Sequence, residues 1–261
     1  MGKKSSEQKR ANGIIAIMLT ITVAISLLTA FTPNLKDALG ISDKPNLFGV
    51  QNSVVEGIDV SEHNNTIDWQ KVKADGVDFA FIRVGYRGYE SGNIVIDKTA
   101  MLNLEKADEA GIKTGVYFYS QATTKQEARE EALFTLNVIE DYTVSLPVAI
   151  DFEYAYDSDG MHTGRLFDAA LTPKAAAGVI NEFCDTVEEA GCRSMVYSSS
   201  NMMIYDIEMN NISPRTYIWV ADYNSSVTYS GEYDIWQYSK SGKKNGIGSK
   251  HVDLNRWYLN K

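Results

Sequence analysis

Asp151 and Glu153 close the apolar run Pro147-Val148-Ala149-Ile150, and they are the pair in this sequence best placed for acid–base chemistry. On a strand, residues i and i+2 face the same way, so the two carboxyl groups project together from one end. Two acids converging on an otherwise apolar strand perturb one another's ionisation, which leaves one of them able to give up a proton near neutral pH. Protonating the oxygen of a glycosidic bond needs such a group. A strand that simply runs out into solvent would also read D-x-E, so the assignment depends on what the rest of the chain brings to the same place.

The elements that must position this pair alternate from Val55 onward between short apolar runs and amphipathic segments, the pattern of βα units. Strands are predicted at Gly57–Ser61, Phe79–Tyr86, Lys113–Ser120, Pro147–Tyr154 and Arg193–Ser198. Helices are predicted to begin near Ile67, to cover Lys98–Ala110 and Lys125–Asp141, and to open at Thr172-Pro173, a cap followed by a first-turn proline. Gly111 closes the second of these. Three more strands are predicted at Tyr217–Tyr223, Tyr233–Ser239 and His251–Trp257. Their last two connections hold only about ten residues each, short of the dozen or more of a parallel crossover, so the closing strands are predicted to be partly antiparallel. The fold class is α/β: a TIM-like barrel of five βα units and three further C-terminal strands, with no internal sequence repeat.

In parallel barrels the reactive groups stand at the C-terminal strand ends. Polar residues collect there: Asp59 on strand one, Arg83 and Tyr86 on strand two, Tyr117 and Tyr119 on strand three, Asp151 and Glu153 on strand four. Tyr223, Gln237 and Asp253 come from the last three strands. A single tyrosine of this kind is an ordinary rim residue. Several around one mouth, with an amide and an arginine, are suited to hold a sugar ring, and Arg83, Tyr86, Tyr117, Tyr119, Tyr223 and Gln237 are the substrate-binding candidates.

The chain has 261 residues and a formal net charge of -9. Residues 1–31 hold four Lys/Arg and one Glu, so the remainder carries 21 Lys/Arg against 33 Asp/Glu, a net -12. Such a surface argues against nucleic acid as a partner. Lys3, Lys4, Lys9 and Arg10 form a basic tail (1–10) before an uncharged run over 11–32. At about 1.5 Å per helical residue this run spans a bilayer core of about 30 Å, with the N-terminus cytoplasmic and the rest outside. Leu28-Thr29-Ala30 is a poor cleavage site, which favours an uncleaved signal anchor over a removed signal peptide that would leave the protein secreted. Residues 33–54 then read as a linker and 55–261 as the catalytic barrel. Cys184 and Cys192 could pair outside the cell, but the helical pattern running to Gly191 separates them, and two small buried hydrophobes is the competing reading.

From Val55 to Leu259 the chain resembles glycoside hydrolase family 25, the Chalaropsis-type lysozymes. The resemblance rests on G-I-D-V-S at 57–61 with His63, I-D-W at 67–69, G-V-D-F-A-F-I-R at 76–83, A-I-D-F-E at 149–153, W-V-A-D-Y at 219–223, D-I-W-Q-Y at 234–238 and V-D-L-N at 252–255. It implies hydrolysis of the β-1,4 bond between N-acetylmuramic acid and N-acetylglucosamine in the glycan strands of peptidoglycan, with no metal or other cofactor. Many relatives carry a Lys and a Glu-Gly at the end of strand two, where this chain has Arg83-Val84-Gly85-Tyr86, so no carboxylate from that strand is given a role.

Glu153 is the candidate general acid, and Asp151 is expected to stay ionised. Two routes compete. In one, Asp151 orients the substrate's own acetamido group for attack on the anomeric carbon; in the other, Asp59 or Asp253 activates water on the far face. The first is preferred because muramic acid carries the acetamide. A wall tether that binds peptidoglycan without cutting it, and a chitinase-like hydrolase of N-acetylglucosamine polymers, are the alternatives. Asp157-Ser158-Asp159-Gly160 reads as a turn and not a calcium loop.

Overall fold

The computed structural model describes residues 44–49 and 54–259. The basic tail, the apolar run over 11–32 and most of the linker lie outside the described residues, so the predicted membrane helix does too. Among the described residues no helix is long and apolar enough to cross a membrane. Contacts divide the chain into Met1–Pro45 and Asn46–Lys261, and the barrel belongs to the second unit.

In chain order its elements are β1 (Val54–Val60), α1 (Trp69–Ala74), β2 (Phe79–Arg87), β3 (Ile94–Ile96), α2 (Ala100–Glu109), β4 (Lys113–Ser120), α3 (Lys125–Ile139) and β5 (Val148–Phe152). There follow a small hairpin, β6 (Ala155–Tyr156) and β7 (His162–Thr163), then α4 (Arg165–Asp168), α5 (Pro173–Glu189), β8 (Ser194–Ser199), α6 (Ser200–Tyr205), β9 (Tyr217–Ala221), β10 (Ile235–Gly242) and β11 (Val252–Tyr258). Local signals start and stop the helices as expected. Thr124 and Thr172 accept hydrogen bonds from the backbone N–H of Glu127 and Ala175, Pro173 occupies the first turn of α5, and Gly111 turns the chain after α2 at φ +69°.

Eight strands close on themselves, because β1 pairs with β2 on one side and with β11 on the other. The order runs β1, β2, β4, β5, β8, β9, β10, β11, with β3 as a short antiparallel flap on β2. All neighbours are parallel up to β10, and only β11 runs antiparallel to both of its partners. The closing strands are thus partly antiparallel, as expected, with β11 the strand that turns back. The helix-free connection Asp222–Asp234 is long enough to return along the five-residue β9, so a parallel step needs no helix there. Asp253 consequently enters the mouth from the N-terminal end of its strand, opposite Asp59 in register.

Every second residue of each strand faces inward, and these residues build a core separate from the one under the helices. Phe79, Phe81, Met195, Tyr217, Trp219, Ile235 and Trp257 fill the barrel, all at most 4% exposed. Phe81 and Trp219 lie with ring centroids 4.7 Å apart, and Trp257 packs against Phe79 edge-to-face at 5.6 Å. Rings this large fit because two neighbours have no side chain: a Cβ on Gly57 or Gly115 would fall 2.4 Å from the rings of Phe79 and Phe81. The aromatic plug ends one layer below the C-terminal strand ends, and the polar residues begin there. Both cysteines are free thiols, Cys184 buried and Cys192 half-buried.

Candidate active site

All ten residues singled out from sequence line one open cleft of about 1320 Å³ at the C-terminal mouth of the barrel. That exceeds the roughly 300–1,000 Å³ of a typical small-ligand pocket and suits a polymer strand. Alternation explains the convergence: Asp59, Arg83, Tyr117, Asp151 and Tyr197 are the next inward positions above the aromatic plug on β1, β2, β4, β5 and β8.

Six acids line the cleft, the four candidates Asp59, Asp151, Glu153 and Asp253 together with Glu62 and Asp222. Asp59, 6% exposed, accepts at Oδ2 from Gln237 Nε2 at 2.9 Å and from Asn255 Nδ2 at 2.8 Å. The amides are themselves oriented. Gln237 Oε1 accepts from the hydroxyls of Tyr197 (2.9 Å) and Tyr223 (2.7 Å), and Asn255 Oδ1 accepts from Trp219 Nε1 at 2.9 Å. Burial raises the Asp59 carboxyl to about 6, and the hydrogen bonds from Asn255 and Gln237 keep it from rising further. Asp253 hydrogen-bonds to Asp59; burial and then the Asp59 charge raise it to about 8, so at neutral pH it holds the proton of that contact.

Asp151 is 6% exposed and is served differently, since its Oδ1 has no hydrogen-bond partner. Burial, then the charges of Glu153 and Asp59, push it well above the usual carboxylate range, opposed by Arg83. No N–H reaches its inner oxygen, whereas two reach Asp59, so Asp59 is the acid better furnished to carry charge. Burial and the Asp59 charge raise Glu153 to about 7, so it is poised to give up a proton at neutral pH. Its main chain is fixed from below, where fully buried Gln121 donates from Nε2 to Glu153 O at 2.9 Å and Ser198 Oγ donates to Phe152 O at 2.7 Å.

Arg83 lies among these acids but is held from the side. Its Nε donates to Asp97 at 2.9 Å, its Nη2 approaches Glu62 at 3.4 Å, and its guanidinium sits 5.2 Å from the Tyr86 ring centroid. Burial works to raise fully buried Asp97, but bonds from Glu62 N and Thr99 and the Arg83 charge outweigh it and hold the group below its usual range. Tyr117 and Tyr119 are kept firmly protonated by burial and by the surrounding carboxylates, so both present hydroxyl donors to the cleft. Tyr223 stands at the rim, about half exposed, with its hydroxyl on Gln237. Glu90 does not line the cleft, and Asp157–Gly160 forms the tip of the β6–β7 hairpin, where Asp157 Oδ1 accepts from the N–H of Asp159 and Met161.

Sequence reasoning passed over Tyr197, Asn255, Trp219, Asp97 and Gln121. Asn255 and Trp219 stand inside the motifs 252–255 and 219–223, and Tyr197 stands on β8 where Tyr117 stands on β4, so their inward phase was readable. Asp97 and Gln121 sit in connections, where no periodicity points to them.

A sequence model described as glycosyl hydrolases family 25 matches residues 58–247, most of the chain. The autolytic lysozyme of Clostridium acetobutylicum is 27% identical over 201 residues, which cover 76% of this chain and 55% of that protein. Lysozyme M1 of Streptomyces globisporus is 27% identical over 213 residues, covering 78% and 68%. Among solved structures, the modular autolysin LytC from Streptococcus pneumoniae, in complex with a synthetic peptidoglycan ligand, superposes with a TM-score of 0.66 at 27% identity and covers 78% of this chain and 47% of that one. The chain thus spans about half the length of two of these relatives.

Proposed function

Since the chain belongs to glycosyl hydrolase family 25, we propose that it is a muramidase, cleaving the β-1,4 bond from N-acetylmuramic acid to N-acetylglucosamine in peptidoglycan, with Glu153 as general acid and Asp151 orienting the acetamide. The observation that carries this is the unpartnered Oδ1 of buried Asp151 beside a glutamic acid raised to about 7. An acetamide N–H supplies the donor that this oxygen lacks, and the positive charge growing on the acetamide carbon draws Asp151 toward its ionised form. The acetamide oxygen attacks the anomeric carbon as the bond to the leaving oxygen breaks, and Glu153 gives its proton to that oxygen. Water then opens the oxazolinium ion, returning its proton to Glu153. Tyr117, Tyr119 and Tyr223 offer hydroxyls and ring faces to the sugars. The relatives' names support the same substrate: two lysozymes and an autolysin solved with a peptidoglycan ligand.

Product analysis on purified peptidoglycan tests the reading. New reducing ends on muramic acid are expected; ends on glucosamine, or none, would replace it with a glucosaminidase or a wall tether. We also propose that residues 11–32 anchor the barrel outside the cell. Full-length protein then sediments with membranes, and release of a soluble form beginning near Phe31 would show cleavage instead.

A further inference from the structure

A cleft lined by six acids repels a substrate that carries carboxylates of its own, and peptidoglycan carries them: a lactyl group on each muramyl residue, or a glutamyl group where a peptide stem is attached. Two long-chain cations line the cleft, and they are in different states. Arg83 is committed to Asp97 and Glu62. Lys240 is exposed and forms no ion pair among the described residues, and its Nζ lies 5.3 Å from the centroid of the Tyr223 ring.

Its position is the work of a bulge. Gln237 pairs with Asn255, but the next pair is Ser239 with Leu254, so β10 holds one extra residue at this point. The extra residue reverses the strand's phase, and Lys240 shares the inward side with Gln237, where Ser239 would otherwise stand. The side chain is thereby delivered to the rim above Asp253 and Glu153, on both of which its charge acts to lower the pKa. Lys243, Lys244 and Lys250 line the neighbouring hollow and Lys244 is held by Asp75, so among the described residues Lys240 is the one lysine that lines the cleft. Its charge draws anions to one side of an acidic cleft.

We propose that Lys240 is a specificity-determining residue that binds a carboxylate of the substrate beside the cleavage point, and so distinguishes muramyl glycan from neutral N-acetylglucosamine polymers. This rests on the muramidase reading. The carboxylate is either the free lactyl group of a stem-free muramyl residue or the glutamyl group of an attached stem, one chemistry from two sources. A neutral polymer offers Lys240 nothing and gains nothing from it.

The test is calorimetric binding in a Glu153→Gln background, which separates recognition from turnover. Three tetrasaccharides serve as ligands: N-acetylglucosamine alone, alternating muramyl glycan without stems, and the same glycan with stems. Lys240→Gln is expected to weaken one muramyl ligand about fivefold, the scale of a half-exposed charge pair, with Lys240→Arg restoring it and added salt shrinking the difference. The neutral ligand should bind unchanged. Loss confined to the stem-free ligand assigns the lactyl group, and loss confined to the stemmed ligand the glutamyl group. Lys243, exposed in the neighbouring hollow and outside the cleft, is the control for general surface charge. Equal weakening of the neutral ligand, the same loss from Lys243→Gln, or no loss with either muramyl ligand would overturn the proposal. Failure of the muramidase reading shows separately, as wild-type enzyme that releases no muramic acid reducing ends.

Discussion

Replacing Glu153 with Gln should do two opposite things, and their pH dependence is fixed by the same group. The change keeps shape and removes the transferable proton, so kcat should fall about a hundredfold or more. Stability should move the other way. Glu153 is raised from 4.5 to about 7 in the fold, which means that the folded state holds this proton more tightly than the unfolded chain. The contribution to stability is therefore complete below about pH 4.5 and is lost as pH rises through about 7, where a charge must be held among other acids. A rise from 4.5 to about 7 corresponds to up to about 3 kcal/mol at about 1.4 kcal/mol per unit, or up to about 10 °C in Tm for a domain of this size. Gln cannot ionise and escapes that cost. Melting curves of both proteins should coincide near pH 4 and separate near pH 8, with the variant melting higher. Wild-type kcat/KM should decline above about pH 7, and the variant's residual rate should lack that limb. A Tm gain equal at pH 4 and pH 8, or near-normal turnover by the variant, would refute the assignment of the proton to Glu153.

Gln237→Leu should leave the hydroxyls of Tyr197 and Tyr223 without their acceptor and Asp59 without one of two donors, costing about 2–4 kcal/mol in urea denaturation and moving the acidic limb of the rate profile upward from about pH 6; an unchanged acidic limb would detach Asp59 from the chemistry. Proton NMR of the first-formed product should show the β anomer, because attack by the acetamide and then by water displaces twice at one carbon. An α product, or an Asp59→Asn variant more impaired than Asp151→Asn, would transfer the mechanism to water activated by Asp59.

The barrel was legible because its strands are long enough to show their phase. Phe79, Phe81 and Arg83 declare one side of β2, Gly115, Tyr117 and Tyr119 one side of β4, and the same alternation carries Asp151 and Glu153 to the mouth. What was missed lies where phase cannot be read. The two-residue strands β6 and β7 and the three-residue β3 are shorter than any period that could announce them. Which closing strand turns back was not legible, because the strand ends could not be placed closely enough: thirteen residues, enough for a parallel return, join β9 to β10 where the pattern reads about ten. The difference between Asp59 and Asp151 was not readable for another reason: a charge goes where donors are, and the amides of Gln237 and Asn255 that serve Asp59 come from strands distant in sequence.

Those amides connect the packing of the barrel to its chemistry. The four candidate acids at this mouth would share charge without distinction if nothing told them apart. Asn255 can turn only its N–H group to Asp59, because its carbonyl is taken by the indole N–H of Trp219. Gln237 is set the same way, its carbonyl occupied by two phenols. Trp219 in turn has its place because Phe81 and Tyr197 lie against it at 4.7 Å, and Phe81 fits because position 115 is glycine. The hydrophobic plug therefore decides which carboxylate is charged: with Asp59 holding the negative charge, Glu153, two residues beyond Asp151 on the same side of the strand, keeps its proton at the pH where it is needed.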